Sequence, residues 1–286
     1  MGHFIILNGS LLFQVYGIYE VFIVIRNMFD LRGKTIIITG GAGHLGSGMS
    51  EALAAFGANL FILGTDLEKN QRKAKELKKI YNLSICESLK FNIKDEILIH
   101  QAIDKIFEIT GQIDVLINNA SYGCMKPLED YTYEEWFQGI DGTINGVFRV
   151  TQAVLHYMRE KKQGNIINIS SMYGMVAPDM RIYGDSKQNN PANYGAGKAA
   201  IIQFTKYVAS VYAGEGIRSN AISPGPFPNR TVQKDERFIC ELCGKNPMNR
   251  IGTPEDLQGI IVFLASDASK YMTGQNIAVD GGWTIW

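Results

Sequence analysis

The chain has 286 residues, of which 46% are hydrophobic and 20% charged, and its 28 Lys+Arg balance its 28 Asp+Glu. Such a composition supports one large α/β core and excludes a disordered or fibrous chain. Zero net charge leaves none of the basic footprint that nucleic-acid binding requires.

Four cysteines are too few for a disulfide framework. The lone C-x-x-C at Cys240 and Cys243 lacks the second pair or nearby His of a four-ligand zinc site. No metal is expected, and a reducing cytoplasm is the expected compartment. The first 27 residues are apolar between Phe4 and Ile25, with interruptions at Asn8, Gly9, Ser10, Gln14 and Glu20. A spanning helix needs ~20 apolar residues with few charges. A secretory leader needs a basic start and a small-residue cleavage site. The segment fits neither, so residues 1–27 are expected to be an extension outside the catalytic fold, with no membrane partner. The domain is expected to occupy 28–286.

From Lys34 onward, strand-like and helix-like segments alternate. Thr35–Thr39 is a β-branched run, followed by a glycine-rich turn and a helix over 46–56. A second strand (59–63) precedes a Lys/Glu-rich helix (67–81), with Leu67, Ala74 and Leu77 on its inner face. A third strand is predicted over 84–91, a helix over 97–110 and a fourth strand over 114–118. A long helix follows over 132–160, with a possible break, then a fifth strand over 165–169. The remaining elements are a helix over 194–215, a strand over 219–223, a helix from Pro254 to Ala265 and a last strand over 276–279. This alternation predicts an α/β fold: one Rossmann-like, doubly wound parallel sheet with helices on both faces. Two long irregular stretches, 177–193 and 224–249, each follow a strand, which is where such sheets hold ligands.

The turn Thr39-Gly40-Gly41-Ala42-Gly43-His44-Leu45-Gly46 joins the first strand to the first helix. Glycine allows close backbone approach, and a helix N-terminus presents N–H groups to a pyrophosphate. Tyr194 and Lys198 are four residues apart on a predicted helix and therefore share a face, which brings an ammonium to a phenol and favours phenolate. Ser170 and Ser171 end the fifth strand.

Together these segments resemble the short-chain dehydrogenase/reductase superfamily in its shorter branch. The turn is similar to Thr-Gly-x-x-x-Gly-x-Gly, except that His44 replaces the middle glycine. It also reads as Gly40-x-x-Gly43-x-x-Gly46, the spacing of the extended branch that handles nucleotide sugars. Asn118-Asn119-Ala120, Pro224-Gly225 and Val279-Asp280-Gly281-Gly282-Trp283 favour the shorter branch. The resemblance implies an NAD(P)-dependent oxidoreductase that interconverts a carbonyl and a secondary alcohol. Ser171 would hold the reacting oxygen, Tyr194 would act as general acid/base, and Lys198 would assist and bind the nicotinamide ribose. Cofactor contacts are implied for Gly40, Gly43, His44, Leu45, Gly46, Thr65, Asp66, Asn92, Ile93, Asn119, Ala120, Pro224, Gly225 and Phe227, besides Tyr194 and Lys198.

The chain departs from the family pattern in several places. The relay asparagine aligns with Thr143, which is taken as the relay candidate; Asn145 lies two residues on, off that helix face. The acidic and arginine positions that separate NAD from NADP align with Gly64 and Thr65. Asp66 lies just beyond, reads equally as a helix N-cap, and tips the balance to NAD. Ser171 and Tyr194 are unusually far apart for the family, which makes residues 181–193 a candidate flap. Tyr173–Pro178 and Asn190–Tyr194 about that insert, with Pro224–Asn229, resemble a subgroup linked to flagellin-glycan and surface-sugar biosynthesis, which implies a sugar or sugar-nucleotide substrate with Arg181, Asn189, Asn190 and Arg230 as candidate contacts. Family members are commonly homotetramers, so a homo-oligomer is expected. Two other readings are a catalytically silent nucleotide-binding protein on the same fold and a sugar-nucleotide epimerase or dehydratase; the latter would have a larger C-terminal substrate domain.

Overall fold

A computed structural model describes residues 28–184 and 189–286. The expected 1–27 extension lies outside the described residues. Seven strands form one parallel sheet: β1 (Thr35–Thr39), β2 (Asn59–Leu63), β3 (Cys86–Glu87), β4 (Val115–Asn118), β5 (Gly164–Ile169), β6 (Ile217–Pro224) and β7 (Asn276–Val279). Their order is β3-β2-β1-β4-β5-β6-β7, and every pairing is parallel.

The central strands are buried on both faces, which explains their continuous apolar runs. Side chains alternate across the sheet. Ile36, Ile38, Leu60 and Ile62 enter one core, beneath helices α1 (His44–Ala55), α2 (Leu67–Tyr81) and α8 (Gln258–Ala265). Ile37, Phe61, Leu63 and Leu116 enter the other, beneath α3 (Glu96–Thr110), α5 (Gly146–Lys161) and α6 (Ala192–Tyr212). The doubly wound plan is therefore present, with α4 (Tyr133–Ile140) and α7 (Glu236–Lys245) completing the helices.

Three elements differ from the sequence reading: α7 forms within the stretch 224–249 that was expected to be irregular, and two others change in extent or form. The third strand shrinks to Cys86–Glu87, extended only by a bridge between Gly64 and Lys90. It is an edge strand with one neighbour, so nothing on its outer side extends it. The long helix is not cut, but α4 runs into α5 through one π-helical stretch, Asp141–Asn145. Glycine makes this possible: a Cβ at Gly142 would lie 1.9 Å from the Tyr122 carbonyl oxygen, and the Gly142 carbonyl accepts from Tyr122 N–H at 3.2 Å. Such bulges occur often at functional sites, and this one faces the catalytic helix. Among the described residues no helix is long and apolar enough to cross a membrane.

Candidate active site

The sheet order reverses between β1 and β4, where a cleft opens beyond their carboxyl ends. Thr39 ties the two strands together: its hydroxyl accepts from Asn119 and Ala120 N–H, each at 3.0 Å. Asn119 Nδ2 returns to the Thr39 and Gly40 carbonyls at 2.9 and 3.1 Å. Gly40 has φ +66°, and a Cβ there would come within 2.9 Å of Asn119 Nδ2. Gly46 is required for a different reason. A Cβ on it would sit 2.1 Å from the Gly40 carbonyl, so it lets α1 pack onto the turn and does not line the cleft. Gly43 caps α1 with no side-chain hydrogen bond, leaving the helix N–H groups to a ligand.

The cleft has a volume of about 560 Å³, and Gly40, Gly43, His44, Leu45, Thr65, Asn92, Ile93, Asn119 and Ala120 all border it. His44 Nε2 is buried without a hydrogen-bond partner. A side-chain-free floor, open helix N–H groups and an unsatisfied imidazole nitrogen together fit a dinucleotide. Asp66 is placed differently: it is exposed, outside the lining, and its carboxylate caps α2 by accepting Lys69 N–H at 2.9 Å. Asn92 also makes a local bond, accepting Lys94 N–H at 3.0 Å, while still bordering the cleft.

A smaller space of about 160 Å³ continues the cleft past Leu45 and Asn119 to Ser171, Tyr194, Lys198, Pro224, Gly225 and Phe227. Ser171 ends β5 and is buried; its Oγ accepts from Tyr173 N–H at 3.1 Å. The Ser171 hydroxyl lies beside the Tyr194 phenol, both bordering this space, and acts to lower its pKa. Lys198 is buried one turn along α6, with Nζ donating to the Ile169 carbonyl at 2.8 Å and lying 5.4 Å from the Tyr194 ring centre. Ser170 is structural, donating to the Lys198 carbonyl at 2.8 Å and fixing α6 to β5.

The electrostatics of the pair differ from the sequence reading in one respect. Burial raises the Tyr194 phenol above its usual value, and the Ser171 hydroxyl only partly offsets this. Burial also lowers Lys198 from 10.5 to about 8. At this geometry the ammonium is spent on a carbonyl, so the phenol stays protonated and suited to donate.

Thr143, from the π-helical stretch, meets α6 here. It is buried, and its hydroxyl donates to the Gly139 carbonyl at 2.8 Å, with the Ile140 carbonyl at 3.2 Å. It packs so closely on Gly197 that a Cβ there would lie 1.9 Å from Thr143 Oγ1. Asn145 faces away, toward Asp141 at 3.3 Å.

Behind these groups a buried polar chain crosses the sheet. Asn118 Nδ2 donates to Thr151 Oγ1 at 3.0 Å and Asn168 Oδ1 at 2.9 Å, and Asn168 Nδ2 donates to Thr205 Oγ1 at 2.9 Å. It locks α5 and α6 to the strands that carry the site.

In front lies a second cavity, of about 500 Å³. Ser171, Thr143 and Tyr194 line it, together with Tyr173, Tyr183, Asn189, Asn190, Phe227 and Phe238. Arg181 and Arg230, by contrast, are exposed and do not line it; Arg181 pairs with Asp179 at 2.7 Å. Sequence reasoning missed Tyr183 and the Tyr122–Asp141–Arg149 cluster that divides this cavity from the nucleotide cleft. The available signal was the density of aromatic residues before Tyr194.

The comparisons with known proteins agree with this geometry. A family model described as enoyl-(acyl carrier protein) reductase matches residues 40–284. The chain is 35% identical to a 3-oxoacyl-[acyl-carrier-protein] reductase of Thermotoga maritima over 256 residues, 89% of this chain and 99% of the relative. It is 31% identical to a gluconate 5-dehydrogenase of Gluconobacter oxydans, covering 91% of this chain and 98% of that one. Among solved structures, a gluconate 5-dehydrogenase from Burkholderia cenocepacia in complex with NADP and tartrate superimposes with a TM-score of 0.82 at 31% identity, over 91% of this chain and 98% of that one. The chain belongs to the short-chain dehydrogenase/reductase superfamily, in its shorter, classical branch. It is an NAD(P)-dependent oxidoreductase.

Proposed function

We propose that the enzyme interconverts a carbonyl and a secondary alcohol on a sugar or sugar-nucleotide derivative, with Ser171, Tyr194 and Lys198 as the catalytic residues. The observation that carries this reading is the meeting of Ser171 and Tyr194 where the cavity joins the inner end of the cleft, with Lys198 buried beside them. The residues bordering the cleft would hold the dinucleotide, which when bound would supply or accept the hydride. In reduction, Ser171 holds the substrate oxygen, and Tyr194 Oη gives up its proton to it as negative charge develops. Lys198 then stabilises the phenolate from 5.4 Å behind the ring. Oxidation runs the same steps backwards.

The border of Gly40, Gly43, His44, Leu45, Thr65, Asn92, Ile93, Asn119 and Ala120 supports cofactor contacts at those positions. NAD is favoured, because Asp66, just beyond the end of β2, would oppose a 2′-phosphate and no Arg is adjacent. A sugar-derived substrate is supported by the amides and phenols of the cavity wall and by the two similar proteins named for gluconate. A cytoplasmic homo-oligomer, dimer or tetramer, is proposed on the exposed Tyr133, Phe137, Phe148 and Tyr207 along α4–α6 and on Trp286 at the C-terminus. The catalytic domain is proposed to be 28–286.

The test is Tyr194→Phe, assayed by nicotinamide absorbance with cofactor binding followed by fluorescence. Turnover is expected to fall about 10²–10⁴-fold with cofactor binding retained. Retained turnover would defeat the mechanism.

A further inference from the structure

We propose that Asp141 and Arg149 are positioning residues of the nucleotide cleft: from outside its lining they hold Ile93 and Tyr122, two residues that border it, and so set how tightly the dinucleotide binds. This rests on the reading of the cleft as the cofactor site and adds to it two residues that stand behind its border.

Arg149 projects from α5 to the turn that leads from β3 into α3. Its Nη1 donates to the Ile93 carbonyl at 3.2 Å, and its Nη2 donates to the Asp141 carboxylate. Its Nε lies 3.8 Å from the carboxylate of Glu96, the first residue of α3. One planar guanidinium thus ties that turn to the π-helical stretch. Its several fixed N–H groups suit it to this, where a lysine offers one point charge. Gly146, at the start of α5, lets the helix come this close: a Cβ there would lie 2.9 Å from Ile93 Cδ1. The Arg149 and Asp141 side chains are only 18% and 15% exposed, so each charge depends on the other.

Asp141 carries the hold across to Tyr122, whose hydroxyl donates to it. Burial and the Asp141 carboxylate push the Tyr122 phenol up, which keeps it the proton donor in this bond. The Tyr122 backbone is fixed to the same stretch, its N–H donating to the Gly142 carbonyl. Tyr122 borders both the nucleotide cleft and the second cavity, and its ring centre lies 3.9 Å from the ammonium of Lys94, another cleft-border residue. Ile93, Lys94 and Tyr122 are therefore located by one carboxylate–guanidinium pair. A border locked in this way needs little ordering when a ligand arrives, so affinity is the quantity the pair controls.

The experiment uses the full chain. Dissociation constants are measured for NADH by fluorescence and for ADP-ribose by calorimetry, with thermal unfolding alongside. Arg149→Met is expected to raise both constants by at least about tenfold, and Tyr122→Phe by about three- to tenfold. Because the two act through Asp141, the double variant is expected to bind at least about threefold tighter than the product of the single effects predicts. Arg149→Lys keeps a cation beside Asp141 without the second N–H for Ile93. It is expected to melt near wild type yet bind about fivefold more weakly, which separates positioning from stability and serves should the methionine variant not fold. With whichever substrate the enzyme turns over, KM for the cofactor is expected to rise while kcat at saturation stays within about threefold. Wild-type constants in Arg149→Met or Arg149→Lys, whatever their melting temperatures, overturn the proposal, as do single effects that simply multiply. The reading of the cleft is tested apart by Thr65→Glu, which adds a carboxylate at its border and is expected to weaken NADPH relative to NADH by at least about tenfold. An unchanged ratio defeats that reading and this proposal with it; a shifted ratio beside unchanged constants in the Arg149 variants defeats this proposal alone.

Discussion

Lys198→Met removes a charge that the fold is forced to bury. Lys198 is 4% exposed, and its amine falls from 10.5 to about 8 through burial alone. At 1.36 kcal/mol per pH unit, the difference corresponds to roughly 3 kcal/mol of native stability lost wherever the ammonium is charged in both states. Below pH ~8 that cost is fully present. Between about 8 and 10.5 the folded chain holds a neutral amine while the unfolded chain still binds the proton, so native stability rises with pH. The methionine variant has no such dependence. It also leaves the Ile169 carbonyl without its donor, a cost of about 1–3 kcal/mol that does not vary with pH. The variant's advantage over wild type is therefore expected to shrink by about 3 kcal/mol as pH rises through that window. Urea unfolding of both proteins without cofactor, at matched concentration and several pH values, measures it. A stability difference that stays constant with pH would refute the assignment of a buried, charge-penalised lysine, and the variant's loss of turnover would then need another cause.

Three further outcomes follow from the same geometry. The rate of carbonyl reduction is expected to fall about tenfold per pH unit above pH ~8, as Lys198 loses its proton, and a pH–rate profile of kcat/KM checks it. Thr143→Val is expected to keep kcat within about threefold, because the hydroxyl is already spent on the Gly139 and Ile140 carbonyls; a fall in the 10²–10⁴-fold range would place it in a proton relay. Asp66→Ala is expected to lose about 1 kcal/mol of stability with the α2 cap and to improve kcat/KM with NADPH relative to NADH. Thermal unfolding and paired cofactor assays test both halves, and an unchanged cofactor ratio would leave Asp66 as a cap alone.

The sequence made the sheet and the proton-transfer pair legible for a shared reason: both are local patterns with strong physical constraints. β1, β4 and β5 are buried on both faces, so their residues read as unbroken β-branched and apolar runs. Tyr194 and Lys198 sit one helical turn apart, and Ser171 closes β5 opposite them, so their convergence follows from helix spacing and strand order. The third strand was less legible because its length depends on a neighbour, and at the edge there is only β2. The π-helical join was less legible still. It requires Gly142 to meet Tyr122 and Thr143 to meet Gly197, contacts 20 and 54 residues apart in the chain.

The same distinction explains why the chemistry could be read before the substrate. Hydride and proton transfer need Ser171, Tyr194 and Lys198 at fixed places on rigid elements, and the sequence spacing records that. The cavity wall is made by segments whose positions depend on packing with one another: Tyr183 on Phe238, Asp179 on Lys245, Asn189 on the Lys126 carbonyl. Arg181 and Arg230 were candidate contacts for a sugar or sugar-nucleotide, yet both are exposed and outside the cavity lining, where the described part of the insert presents phenol and amide groups. The docking of its 3-10 turn against α7 sets which of its described side chains face the cavity.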